Sequence, residues 1–188
     1  LLEAPVFSEL YKADYEIDRP YHGVIHDTAI ARGHLELGDI GHLEATYAFQ
    51  RNDRKEYEII RGESSRAQHN FTLRSHTADL LFRHDPITLS EGLQLEGLTG
   101  FSGMLQENVY RGWPLLSDYR AFSGGVFALE RFVFDDFEFE TGFRFDHETR
   151  NAYLPEKTFQ SLAREGRIDA ATCTIGDDFT RCDTAFNA

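Results

Sequence analysis

Histidine is the residue type in this sequence with the widest chemical use, because imidazole binds metal ions and exchanges protons near neutral pH. The chain has eight histidines. His22 and His26 share one face of a predicted strand, but they lie about 13 Å apart along it, which is too far for one metal ion. Four others are expected near one end of the strands: His34, His42, His76 and His84. We expect hydrogen-bonded histidines there rather than ligands, so the sequence predicts no metal site and no cofactor.

Carboxylates are the other abundant reactive groups. The chain has 32 acidic and 19 basic residues, and its formal net charge of -13 argues against a nucleic-acid partner. Glu138 and Glu140 are two residues apart, which is more typical of charges along a strand face than of a catalytic pair. The segment Gly100–Gly103 lacks the GxSxG spacing of a serine nucleophile. The sequence therefore predicts no enzyme.

Aromatic and guanidinium side chains mark the predicted loops and their borders. Such side chains suit a vestibule that binds a small molecule. They suit equally well the aromatic girdle of a membrane protein at the lipid–water interface. The candidates for ligand contact are Tyr110, Arg111, Trp113, Tyr119 and Tyr153, and both interpretations stay open.

The elements that position these residues are clearest between Arg120 and Asn151. Apolar and polar residues alternate strictly on both sides of Asp135-Asp136, which predicts two antiparallel strands joined by a very tight turn. Folding at that turn sets five opposite pairs: Phe134 with Phe137, Phe132 with Phe139, Ala128 with Phe143, Val126 with Phe145, and Arg131 with Glu140.

The two faces of this hairpin differ in character. Phenylalanines crowd one face, whereas the other carries Arg131, Glu138, Glu140, Arg144 and Asp146. Strands in soluble sandwiches are usually shorter than the roughly 15 residues predicted here. Long alternating strands with an aromatic face favour an outer-membrane barrel, in which lipid-facing and lumen-facing residues alternate. In such a barrel the five charged residues would face the lumen.

Four further strands are predicted upstream, at about 21–37, from 43 onward, 71–83 and 93–110. The short connections, at 38–42, 85–92 and 135–136, fall on one side of the sheet. The long ones, at 1–20, 61–70, 111–118 and 153–188, fall on the other side, as in barrels with short periplasmic turns and long external loops. No run approaches 18 apolar residues, so no transmembrane helix is predicted.

Several segments of residues 20 to 150 resemble TonB-dependent outer-membrane receptors. The segment FALERFVFDDFEFETGFRFDH is similar to a strand–turn–strand of that family, and it contains the pattern Gly142-Phe143-Arg144-Phe145-Asp146. Upstream, Tyr47–Ile59, Phe71–Pro86 and Gly100–Glu130 resemble other family segments, in the family's order.

The resemblance implies a fold and a function. It implies an all-β antiparallel up-and-down meander that is part of a transmembrane barrel of about 22 strands with a plugged lumen. Residues 1–188 would form a partial barrel domain without the plug, with about six strands over 21–152 and external segments at 1–20 and 153–188. The activity would be uptake of a scarce nutrient: siderophore-bound iron, a vitamin, haem or a glycan.

The resemblance also implies partners and a location. The partners would be outer-membrane lipid, a small-molecule ligand that the sequence does not identify, and a TonB-type energy-transducing protein acting through the plug. The location would be the outer membrane of a Gram-negative bacterium. A non-transporting outer-membrane barrel and a soluble lipocalin-like ligand-binding module are the alternatives.

Cys173 and Cys182 lie close together in the predicted segment after the sixth strand. In a loop exposed outside the cell, where thiols oxidise, this pair is expected to form a disulfide. Two free thiols are the alternative.

Overall fold

The protein forms one antiparallel β-sheet. The computed structural model describes residues 17, 19–59, 66–112, 117–176 and 179–187. The strands are β1 Tyr21–Glu36, β2 Gly41–Tyr57, β3 His69–Ser90, β4 Leu93–Gly112, β5 Asp118–Phe134, β6 Phe137–Pro155, β7 Cys173–Ile175 and β8 Phe179–Asn187. The spatial order is β1-β2-β3-β4-β5-β6-β8-β7. The predicted all-β antiparallel meander is therefore confirmed.

The predicted hairpin register is confirmed throughout. Phe134 pairs with Phe137 across a two-residue turn, and the remaining predicted pairs follow in the same register. The aromatic rings of Phe132 and Phe139 lie 6.2 Å apart between centroids. Because side chains alternate along a strand, this register fixes which face every residue of β5 and β6 occupies.

The connection between β3 and β4 is shorter than the predicted turn at 85–92. Strand β3 continues to Ser90, with irregular pairing between His84 and Ile87 and again between Thr88 and Ser90. Pro86 lies inside the first irregularity, where its missing N–H interrupts the ladder without ending the strand. A turn at Gly92, whose φ is 79°, then leads into β4.

The prediction of an irregular segment from residue 153 onward was wrong. Strand β6 runs to Pro155, helix α1 spans Glu156–Arg164, and β8 pairs with β6 over nine positions. The sequence of β8, FTRCDTAFN, lacks a continuous apolar face, so its alternation gave no strand signal. Its pairing partner, rather than its own pattern, makes it a strand. The predicted external segment at 1–20 lies almost wholly outside the described residues.

A small core sits at this end of the sheet. Leu154, Phe159 and Cys182 are buried together. Partly buried side chains surround them: Leu162, Ala163, Ile168 and Cys173. The described part of the chain contains no helix that is long and apolar enough to cross a membrane, since α1 has nine residues.

Among the described residues, none forms a second layer over strands β1 to β5. We call the side that carries Phe143 and Phe145 the apolar face and the opposite side the polar face. On the apolar face, Phe143 is 66% exposed and Phe137 is 61% exposed, so no described element covers these rings. The sheet is a single layer with one apolar and one polar surface.

Candidate functional site

The apolar face is built from rows of register partners that cross six strands. One row runs from Phe145 on β6 across the sheet to β1, through Val126, Phe101, Leu80, Ala45 and Gly33. Four residues of this row help to line a shallow cavity of about 450 Å³ on this face: Gly33, Ala45, Leu80 and Phe101. A second row starts at Thr149, four residues after Phe145 on β6. It crosses the sheet to β1 through Phe122, Leu105, His76, Phe49 and Ala29.

A row of five charged residues and one asparagine marks the end of the continuous apolar rows. We call it the border row, and its members are Asp27, Arg51, Arg74, Glu107, Arg120 and Asn151. Glu107 Oε1 accepts a hydrogen bond from Arg120 Nε at 2.9 Å, and Glu107 Oε2 lies 3.6 Å from Arg74 Nη1. The border row therefore interrupts the apolar rows at one level on all six strands, and beyond it only single residues such as Ile25 and Val109 are apolar on this face.

The sequence suggested only one part of this border. Arg51 begins a visibly charged run in the sequence, RNDRKEYE, but the other members are scattered along the chain. Because only the strand register aligns them, alternation within single strands could not show a common level.

One polar pair lies within the apolar face near the tight turns. His84 Nε2 is 3.2 Å from Glu130 Oε2, and a glycine, Gly97, lies between their strands in register. A Cβ on Gly97 would meet the Glu130 carboxylate, so glycine leaves room for the pair. His84 and Glu130 thus form a hydrogen-bonded pair at the turn-side end of the apolar face.

The polar face carries the five charges that were predicted to lie together. The register places Arg131, Glu138, Glu140, Arg144 and Asp146 on this side. Glu140 is directly opposite Arg131, yet the ion pairs of Arg131 join it to Glu96 on β4 and to Glu138, 3.6 Å away. Arg131 therefore links three strands rather than two.

Arg144 forms the second charged group of the polar face. Its Nε and Nη2 each donate to one oxygen of Asp146 at 2.6 Å, and Nη2 also donates to Ser102 Oγ at 3.2 Å. Its guanidinium lies 5.5 Å from the centre of the Phe127 ring. The side chain is therefore held in one orientation by bidentate pairing and a cation–π contact.

A polar cavity of about 280 Å³ adjoins Arg144. Its polar lining residues are Thr77, Asp79, Ser102, Ser123, Arg144 and Asp146. Gly125 faces Asp146 across the strands, and a Cβ there would meet the Asp146 carboxylate. Hydroxyls, carboxylates and one guanidinium in a recess of this size can hydrogen-bond a small polar molecule.

The end of the polar face beyond this cavity is rich in hydrogen-bonding and aromatic side chains. Tyr119 Oη donates to Gln106 Oε1 at 2.8 Å, and Gln106 Nε2 donates to Ser75 Oγ at 3.1 Å. Arg150 lies 5.2 Å from the centre of the Tyr119 ring. Asn108, which is 6% exposed, has a buried amide nitrogen with no partner among the described residues.

The five predicted ligand-contacting residues do not form one group. Tyr110 and Tyr119 lie on the polar face, and Tyr110 is buried, with its hydroxyl 2.5 Å from His69 Nδ1. Arg111 and Tyr153 lie on the apolar side beyond the border row, and Arg111 pairs with Asp118 at 2.9 Å. Trp113 lies outside the described residues.

Cys173 and Cys182 form a disulfide, and they are also register partners of β7 and β8. The bond lies in the small core beside Leu154 and Phe159. It joins a short edge strand to β8, which itself pairs with β6.

Comparisons of the chain with protein-family models, with curated proteins and with solved structures found no match. The geometry of the two faces therefore carries what is inferred about function.

Proposed function

We propose that the chain forms part of the wall of an outer-membrane barrel of the TonB-dependent receptor type, with the apolar face toward lipid and the polar face toward the lumen. The supporting observation is the border row itself, a line of charged residues that interrupts the apolar rows at one level across six neighbouring strands. A lipid–water interface selects for a boundary at one level, whereas a soluble sheet needs a covering layer over its apolar side.

The height of the apolar face fits a bilayer. From Phe139, which lies one row inside the Phe134–Phe137 pair beside the turn, to Thr149 the backbone of β6 rises about 34 Å. At the strand tilt usual in membrane barrels this corresponds to about 25 Å across the membrane, which is the height of their apolar band. The His84–Glu130 pair lies one row inside the band's turn-side edge, where charged groups cost little in such barrels.

Uptake of a scarce nutrient is the transport activity that we propose. Two features support it: the resemblance of Gly142–Asp146 and the upstream segments to the receptor family, and the polar face with its small cavity beside Arg144. The ligand class that fits this lining is a small polar molecule such as a siderophore complex, a vitamin or a glycan. Energy for uptake would come from an inner-membrane protein through a plug.

The lipid-facing assignment is tested with one tryptophan on each face. In a Trp113→Phe background, Phe145→Trp labels the apolar face and Phe127→Trp labels the polar face. We expect lipids brominated on their acyl chains to quench fluorescence strongly at position 145 and weakly at position 127, with the reverse order for aqueous acrylamide. Equal quenching by brominated lipid at both positions, or failure of the chain to enter vesicles, would contradict the proposal.

The transport assignment has a separate test in cells. A strain that lacks the gene is grown on a panel of iron, vitamin, haem and glycan sources at limiting concentration. We expect a growth defect on one source that the intact gene restores. Normal growth on every source would favour a barrel that does not transport nutrients, and it would leave the quenching result unaffected.

A further inference from the structure

Two histidines and two glutamates meet on the polar face at the β1–β2 hairpin. His34 lies opposite Glu44, and Glu36 lies opposite His42. The two imidazole rings are 5.0 Å apart between centroids. One ligand atom each from His34, His42 and Glu44 lies within 4.8 Å of the other two.

We propose that His34, His42 and Glu44 bind one divalent transition-metal ion, of which Zn²⁺ is the best match. Two imidazole nitrogens and one carboxylate oxygen are a common zinc ligand set, and three protein ligands leave a fourth position for water or an incoming group. This inference does not depend on the membrane assignment, because the four side chains belong to one hairpin.

The distances require only side-chain adjustment. Ligand atoms around a tetrahedral zinc ion at about 2.1 Å are about 3.4 Å apart. The ligand atoms lie within 4.8 Å of one another, so the contraction needed is at most about 1.4 Å, which rotation about χ angles can supply. His34 and Glu44 have half-exposed side chains, whereas the His42 side chain is 23% exposed and its Nε2 already lies 3.3 Å from Glu44 Oε1.

The backbone that carries the ligands is well ordered by its own hydrogen bonds. The hairpin closes with a short 3-10 turn, Gly38–Ile40, and Leu37 N donates to Gly41 O at 2.9 Å. Register pairing is continuous from this turn to the far ends of both strands. The three ligands therefore sit on a rigid scaffold, which lowers the entropic cost of binding.

Nearby charges tune the affinity. Glu36 Oε1 is 2.6 Å from His34 Nε2. Glu36 therefore either stays hydrogen-bonded to the His34 imidazole or becomes a fourth ligand of the metal ion. Arg83 on β3 is next to His42 in register, and Arg32 precedes His34 on the same face. Two carboxylates favour a dication, while the two arginines oppose it, so we expect micromolar rather than nanomolar binding.

The test uses the full 188-residue chain and Zn²⁺ alone. Calorimetry should give one site, weakened at least tenfold by His34→Gln or His42→Gln and less by Glu44→Gln. His26→Gln is the matched control, because His26 is on the same face of β1 at its other end, where it meets Asn52 at 3.2 Å. The Zn²⁺ affinity of the His26→Gln variant should stay within twofold of that of the unaltered chain.

Two further readouts complete the test. Co²⁺ should produce the visible absorption of a tetrahedral site. Arg83→Gln should strengthen binding. Equal Zn²⁺ affinity in the His34→Gln/His42→Gln double variant and the unaltered chain would overturn the proposal. So would Zn²⁺-induced NMR shifts in the unaltered chain that leave the His34 and His42 ring signals unmoved, a result that needs no variant.

Discussion

Arg120 on β5 donates from Nε to Glu107 Oε1 on β4 at 2.9 Å, in the row where the apolar face ends. The pair bridges β4 and β5. It also marks the level at which the side chains on this face change from apolar to polar. On one side of this row lie Phe122 and Leu105, and on the other side the polar residues Asp118 of β5 and Thr72 of β3 occupy the same face.

Removing the Glu107 carboxylate should make the sheet less stable at the border row. Glu107→Gln leaves Arg74 and Arg120 as like charges without their shared partner, so we expect lower stability at low ionic strength. The loss should shrink in 1 M salt, because exposed charges are screened. Denaturant titrations at both salt concentrations measure this. Glu148→Gln, which loses one exposed pair with Arg150 on the polar face, is the control and should show a smaller salt dependence.

Arginine in the middle of the apolar face should destabilise the chain in lipid. Phe143→Arg is expected to lower the free energy of unfolding by about 2–4 kcal/mol if the site is at the bilayer midplane. Glu138→Arg puts the same side chain on the polar face and should change it little. Urea titration of the chain in phosphatidylcholine vesicles gives both values. Similar losses at both positions would point to a sheet buried on both sides.

Gly41 should not tolerate a side chain. Its φ is 133°, and a Cβ would collide with the carbonyl oxygen of Arg83 on the neighbouring strand. We expect Gly41→Ala to cost about 1–3 kcal/mol, the range for strained backbone positions. Gly33 provides the control, because nothing lies within 4 Å of a Cβ there. Gly33→Ala should be neutral or slightly stabilising, and a thermal denaturation series separates the two.

Opening the disulfide should loosen one end of the sheet only. In the chain-entropy model a bond that closes so short a loop contributes about 2.5–3 kcal/mol. The paired substitution Cys173→Ser/Cys182→Ser should therefore speed amide exchange in β8 and α1 while β2 to β4 keep their protection. Hydrogen-exchange mass spectrometry resolves these regions. Uniformly faster exchange across all strands would show that the bond supports the entire sheet.

The sequence could predict the central hairpin because local signals agreed there. Strict alternation gave the faces, and Asp135-Asp136 gave the turn, so every opposite pair followed from one folding point. The same reasoning placed Arg131 and Arg144 on the polar face. Which carboxylates they contact depends on rotamers and on β4, and for this reason Glu96 escaped prediction.

The end of the chain could not be predicted in the same way. Helix α1 had a weak signal, since Phe159, Leu162 and Ala163 share one face after Pro155. Strand β8 had none, because pairing with β6 supplies its order. The cluster of His34, His42 and Glu44 required the cross-strand register, which the position of the turn fixes only to within a residue or two.

The neighbour relations of the meander have a kinetic consequence. From β1 to β5, each strand pairs only with strands adjacent to it in the sequence, and β6 pairs with β5 on one side and β8 on the other. The chain can therefore order itself by adding one hairpin at a time, without first closing a long loop, and each addition extends an existing edge. Strand β8 is the exception, because it must wait for α1 and β7 before it reaches β6. We infer that the six long strands zip together early and that the disulfide-linked end docks last.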